Sequence, residues 1–197
     1  TLFQFVLLVG KEVFVGLILG FVVRLIMFSV ALAGHYIGTE MGLQLSSLIA
    51  PGETDPSPTP SAILALLATM LMFALDVHFE LLMGFQQSYE VLPIGGGQIS
   101  GALFNAITTM CVHTFVVAVR IAAPVIAVGI VVSLLLMVLA KTIPQINVFI
   151  ESFSVRILVG VFLFGFTLSM AAQQITEYLH KLPEDFVAAT RLMGLGG

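Results

Sequence analysis

The sequence predicts an all-α protein of membrane type, a hydrophobic helical bundle with long kinked helices and helical hairpins. Three observations carry this reading. The 197 residues are 59% hydrophobic and 9% charged, with 18 glycines and no tryptophan, and a mean hydropathy of +1.13 is foreign to soluble globular chains. Several apolar runs approach or exceed the roughly 20 residues that cross a bilayer as a helix. Glycines recur at helical spacing, at 16 and 20 and again at 34, 38 and 42, which lets apolar helices approach closely. No soluble-type block is long enough for a second core, so one bundle is expected.

The elements follow in order. A first apolar segment covers about residues 2–32 and is broken in character by Lys11, Glu12 and Arg24. Charges at its middle and the lack of a small-residue cleavage pattern argue against a signal peptide. Residue 1 is Thr, so more protein is expected before it. A shorter segment, about 34–48, carries the ladder Gly34, Gly38 and Gly42. Its small faces suit packing within the chain or against other subunits, and both readings stand.

The stretch 36–61 then differs from everything around it, ending in a proline-rich, acidic run with no Lys or Arg. Between membrane-grade helices, such a stretch suggests a device placed in a passage rather than an ordinary connection. A third apolar segment covers 62–87, followed by a neutral connector, 89–100, containing Gly95-Gly96-Gly97.

The fourth segment, 102–140, would rise about 58 Å as one helix, nearly twice a hydrocarbon core of about 30 Å. Pro124 and Gly129 are candidate kinks within it. It is either two packed helices or one long bent helix. The fifth segment covers 146–179. The tail from Pro183 is expected to form a separate short amphipathic helix, with Phe186, Ala189, Thr190 and Met193 on one docking face.

Charged residues inside such segments need partners. Asp76 and Glu80, four apart, share a helical face and repel. They are read either as a relay at membrane depth or as an exposed turn near a segment end. Arg120, Glu151 and Arg156 are further candidate buried charges; Glu151 and Arg156, five apart, cannot pair on one helix. Unmatched buried charges cost several kcal/mol each, so the chain is expected to be one part of an assembly. The basic residues Lys11, Lys141, Lys181 and Arg191 cannot all lie on one side if every segment crosses once, which argues against simple spans.

Several classes are excluded as expectations. The net charge is −4 without a basic cluster, so nucleic acid is not a partner. The single Cys111 forbids an internal disulfide and reads as a small buried hydrophobe. There is no HExxH, GxSxG or phosphate-binding glycine loop, and the four histidines lack metal-ligand spacing. No enzyme, cofactor or metal is expected.

Three runs carry a resemblance that spans most of the chain in order: Gly34-His35-Tyr36-Ile37-Gly38-Thr39-Glu40-Met41-Gly42 with the proline stretch after it, Leu92-Pro93-Ile94-Gly95, and Ile143-Pro144-Gln145-Ile146-Asn147-Val148-Phe149. Together they resemble the FliR/SctT family of type III secretion export-gate proteins, and its flagellar branch more than the virulence branch. The resemblance implies a noncatalytic core subunit of an export gate in the bacterial inner membrane at the flagellar basal body. Its partners would be FliP-like and FliQ-like subunits in a helical hetero-oligomer holding one copy of this chain, an FlhB-like subunit, and unfolded export substrates.

It further implies a FliP-like part at 1–100, with a pore plug at about 44–60, and a FliQ-like hairpin at 101–197. The plugging side chains fall on Leu45, Leu48, Ile49 and Pro51, while Gly34, Gly38, Gly42 and Pro124 are packing or hinge positions. Where many relatives have Asp-Pro, this chain has Ala50-Pro51, and leucines stand where some relatives carry aromatics. A leucine constriction is a dewetting barrier to ions. The rival readings are a proton-coupled secondary transporter using Asp76, Glu80 and Arg120, and a purely structural membrane scaffold.

Overall fold

The computed structural model describes residues 2–43, 59–92, 94–97, 100–142 and 148–194. Among them are five helices and no strand: α1 (Leu2–Glu40), α2 (Thr59–Ala74), α3 (Val77–Val91), α4 (Gly101–Thr142) and α5 (Val148–Gly194). The class is that predicted, because in a helix an apolar segment without water satisfies its backbone within itself.

Element boundaries differ from the sequence reading in three places, and one alternative it left open is decided. The first two apolar segments fuse into α1, since Gly34 and Gly38 are tolerated in a helix interior and no proline interrupts it. The third segment breaks instead, between α2 and α3. The fourth is one helix of 42 residues with Pro124 inside it. The tail is not separate: α5 runs through Pro183 to Gly194.

Helices α1 and α4 and the Ser152–Gly194 stretch of α5 are long and apolar enough to cross a membrane, and α2 with α3 form a broken pair bent by 68°. The most apolar windows of the three long helices bury only 33%, 22% and 17% of their residues within the chain. Phe162 and Phe166 are 76% and 74% exposed. That much apolar surface requires lipid or protein around it.

Compactness does not follow sequence order. One unit comprises Thr1–Phe28, Thr69–Phe115 and Ile175–Gly197; the other comprises Ser29–Ala68 and Val116–Gln174. Each draws on both sides of the 1–100 and 101–197 division that the resemblance implies.

The first unit has a core of Leu19, Val22, Leu92, Leu103, Phe186, Ala189 and Met193. The face expected on the tail is thus the face that packs: Phe186, Ala189, Thr190 and Met193 are all buried. Gly84 makes room there, for a Cβ on it would lie 3.2 Å from Cδ1 of Phe186. Helix α4 starts at Ser100, whose Oγ accepts from the Leu103 amide at 3.1 Å, a cap worth about 1 kcal/mol.

The glycine connector is pinned to the first third of α1 by two charges. Glu12 Oε1 accepts the Gly95 amide at 2.8 Å, and Lys11 Nζ donates to the Gly95 carbonyl at 3.3 Å. Gly95 holds φ +80°, where a side chain would be strained. Lys11 and Glu12 therefore have a structural use in this unit.

The break between α2 and α3 is made by Asp76 in the left-handed region, φ 57° and ψ 16°. Its carbonyl accepts from Phe79 N at 2.9 Å and Glu80 N at 3.3 Å, and Glu80 lies in the first turn of α3, where a carboxylate suits the positive helix end. His78 sits between Phe73 and Phe79, with ring centroids 4.9 and 4.2 Å away.

Two outcomes follow. Because left-handed backbone costs a non-glycine residue about 1–2 kcal/mol, Asp76→Gly raises stability by roughly 0.5–1 kcal/mol after its unfolded-state entropy. Asp76→Val lowers it, and thermal unfolding in detergent reads both signs. Glu12→Gln weakens a charge-assisted bond worth about 1.5–3 kcal/mol, so exchange of the Gly95 amide accelerates while that of the α4 interior does not.

Candidate functional site

The second unit holds the end of α1, from which the chain enters residues 44–58. Helix α1 is closed by a Schellman cap. The Leu43 amide donates to the Gly38 carbonyl and the Gly42 amide to the Thr39 carbonyl, each at 3.0 Å, and Gly42 holds φ +74°. Gly42 therefore does more than pack. It is the stop of α1, where the left-handed turn favours glycine.

Gly34 does serve packing. A Cβ there would lie 2.6 Å from the Ser61 nitrogen and 2.9 Å from its Cβ, so α1 and the start of α2 touch through backbone. Ser61 Oγ seals the contact by donating to the Ala31 carbonyl at 3.1 Å. Pro60 falls in the first turn of α2, where its missing N–H is no loss. Gly38 is buried, and its carbonyl anchors the cap.

The capped turn rests against α4 and α5. A Cβ on Gly129 of α4 would strike the Glu40 carboxylate, with Cδ at 3.2 Å; a Cβ on Gly160 of α5 would strike the Met41 side chain, with its Cβ also at 3.2 Å. At Gly42 an added Cβ would meet Cδ1 of Phe153 at 3.3 Å. Glu40 and Arg156 line one cavity of about 10 Å³, with Gly129 and Gly160 in its wall, room for about one water. Arg156 Nη2 donates to Ser133 Oγ at 2.9 Å, and that hydroxyl donates to the Gly129 carbonyl at 2.7 Å. Met41 and Ile37 are 3% and 1% exposed.

The predicted site residues distribute as follows. Leu45, Leu48, Ile49 and Pro51 lie outside the described residues, as do Pro144 and Gln145 of the third resemblance run. Gly34, Gly38 and Gly42 gather in the second unit. Pro124 is half-buried inside α4 and leaves the Arg120 carbonyl without its helical donor.

The chain on its own does not bury Asp76, Glu80 or Arg120, which are exposed, while Arg156 is half-buried. The reason at Asp76 and Glu80 is the helix break, which places them at an exposed helix start rather than along one continuous face. Glu151 lies on α5. His113 stacks on Tyr178, ring centroids 6.5 Å apart, and Tyr178 in turn shares a hydrogen bond with Thr114 at 3.4 Å.

Sequence reasoning missed the set Glu40, Gly129, Ser133 and Gly160. One signal was present: Glu40 is a carboxylate in the last turn of a helix with no basic residue there. That end carries partial negative charge, so a cation from elsewhere is called for. Among the described residues no group of three or more His, Cys, Asp or Glu is placed to hold a metal ion.

The sequence profile described as bacterial export proteins, family 1, matches residues 1–182. The flagellar biosynthetic protein FliR of Bacillus subtilis (strain 168) is 29% identical over 164 residues, covering 80% of this chain and 62% of the relative. FliR of Escherichia coli (strain K12) is 27% identical over 162 residues, 82% of this chain and 62% of the relative. FliR of Caulobacter vibrioides is 27% identical over 176 residues, 89% and 70% respectively. The chain thus spans 62% of the length of the first two.

Backbone contact at Gly34 leaves no room for a larger side chain. Gly34→Leu is expected to cost at least about 3 kcal/mol through overpacking against α2, and Ser61→Ala about 1 kcal/mol through its lost bond. Unfolding of the purified variants in detergent by denaturant measures both.

Proposed function

The chain belongs to the bacterial export proteins, family 1, and from that premise we propose that it is a noncatalytic core subunit of the flagellar type III export gate. The match of the family profile across residues 1–182 carries this reading. In it the chain sits in the bacterial inner membrane at the flagellar basal body and assembles with FliP-like and FliQ-like subunits beside an FlhB-like subunit. Residues 1–100 take the FliP-like place and 101–197 the FliQ-like place. Together the subunits form the entry pore for unfolded export substrates.

The surface supports an assembled state. Apolar helices with 17–33% of their windows buried, and exposed charges at Asp76, Glu80 and Arg120, need neighbours. Helices of 39 to 47 residues rise about 58 to 70 Å, well beyond a single hydrocarbon core, which suits a bundle that does not simply span it.

Within this reading Leu45 and Leu48, with Ile49 and Pro51, form the seal of the pore. An unfolded-polypeptide path must exclude ions when idle, and a leucine constriction does so by excluding water. Prolines beyond it fix φ and limit the conformations of the stretch.

Two measurements test the proposal. Native mass spectrometry of the complex co-expressed with FliP-like and FliQ-like partners is expected to give one particle with a single copy of this chain. A monomer or homo-oligomer ignoring both partners would overturn the gate reading. In planar bilayers the Leu45→Gly/Leu48→Gly complex is expected to conduct ions at rest while keeping its mass; unchanged resting conductance would dismiss the seal assignment.

A further inference from the structure

We propose that α4 and α5 form a receptor for the end of α1, with Gly129, Gly160 and Arg156 as positioning residues, and that this receptor fixes where the chain enters residues 44–58. Its consequence for ion exclusion rests on the reading of Leu45 and Leu48 as the seal.

Three features on two helices converge on two consecutive residues. Gly129 vacates the space occupied by the Glu40 carboxylate, and Gly160 vacates that occupied by Met41. These glycines do not bring two helix flanks together, the common use of small residues between apolar helices. They admit a helix terminus.

The third feature is charge. A carboxylate in the last turn opposes the helix dipole, and Glu40 faces a water-sized cavity that Arg156 also lines. Opposite charges on one small cavity attract through whatever water it holds. The guanidinium is aimed in advance, through Ser133 to the Gly129 carbonyl. One element therefore supplies the recess and the hydrogen bond that orients the cation.

The geometry is transmitted over a short distance. Leu45 is three residues beyond Gly42 in the sequence, a reach of at most about 11 Å. Glu40 and Met41, the seated residues, lie inside the Schellman turn that Gly42 and Leu43 close, so the seat holds the last described turn before that stretch.

Two readouts on the assembled complex test this: hydrogen exchange of the peptide covering 37–43, whose Met41 and Leu43 amides close α1, and resting ion conductance in bilayers. Gly129→Ala and Gly160→Ala are expected to speed that exchange about tenfold or more, as local opening becomes cheaper, and to raise conductance. Glu40→Gln and Arg156→Gln, which add no volume, are expected to speed it several-fold each and not additively. Leu45→Gly/Leu48→Gly is expected to conduct without altering the exchange.

Unchanged exchange in both glycine variants would overturn the receptor. Full additivity of Glu40→Gln and Arg156→Gln would remove Arg156 from it. If the glycine variants exchange faster without conducting while the leucine variant conducts, the receptor does not position the seal. If none conducts but exchange accelerates, the receptor stands and the seal reading fails.

Discussion

Everything in this chain depends on the need of backbone N–H and C=O groups for partners in apolar surroundings. Long helices meet that need along their length, so the chain can turn only where a local device takes over. Three such devices are visible. A glycine in left-handed conformation closes α1, an aspartate in the same conformation separates α2 from α3, and a serine hydroxyl opens α4. Each sits at a boundary that hydropathy alone does not mark.

That difference explains what could be read from the sequence. Composition and run length gave the all-α membrane class, and the spacing of Phe186, Ala189, Thr190 and Met193 gave a face that is indeed buried. Boundaries were less legible. Gly34 and Gly42 look alike in a ladder, yet one packs against Ser61 inside a helix and the other ends it; only the φ of Gly42 separates them. Asp76 read as a member of a carboxylate pair, because a left-handed aspartate inside an apolar run has no compositional signature. Pro183 read as a helix start, though proline is tolerated inside α5.

The candidate site was legible only in part, for a similar reason. Its glycines at 34, 38 and 42 are close in sequence and form a pattern. The recess that receives Glu40 and Met41 is assembled from Gly129, Ser133, Arg156 and Gly160, spread over two other helices. Pairing of that kind is written in tertiary geometry, and single-sequence periodicity carries no trace of it beyond the misplaced charge of Glu40.

The clasp on Gly95 has one more consequence. Lys11 and Glu12 are adjacent and opposite in sign, and both are spent on one residue, Gly95, through its carbonyl and its amide. Seen from an apolar environment, this stretch of α1 presents a dipole rather than two ions, and a dipole is far cheaper to desolvate. Losing either residue alone converts the other into a lone ion on a greasy helix, so the two positions are exchangeable only together, as a neutral couple.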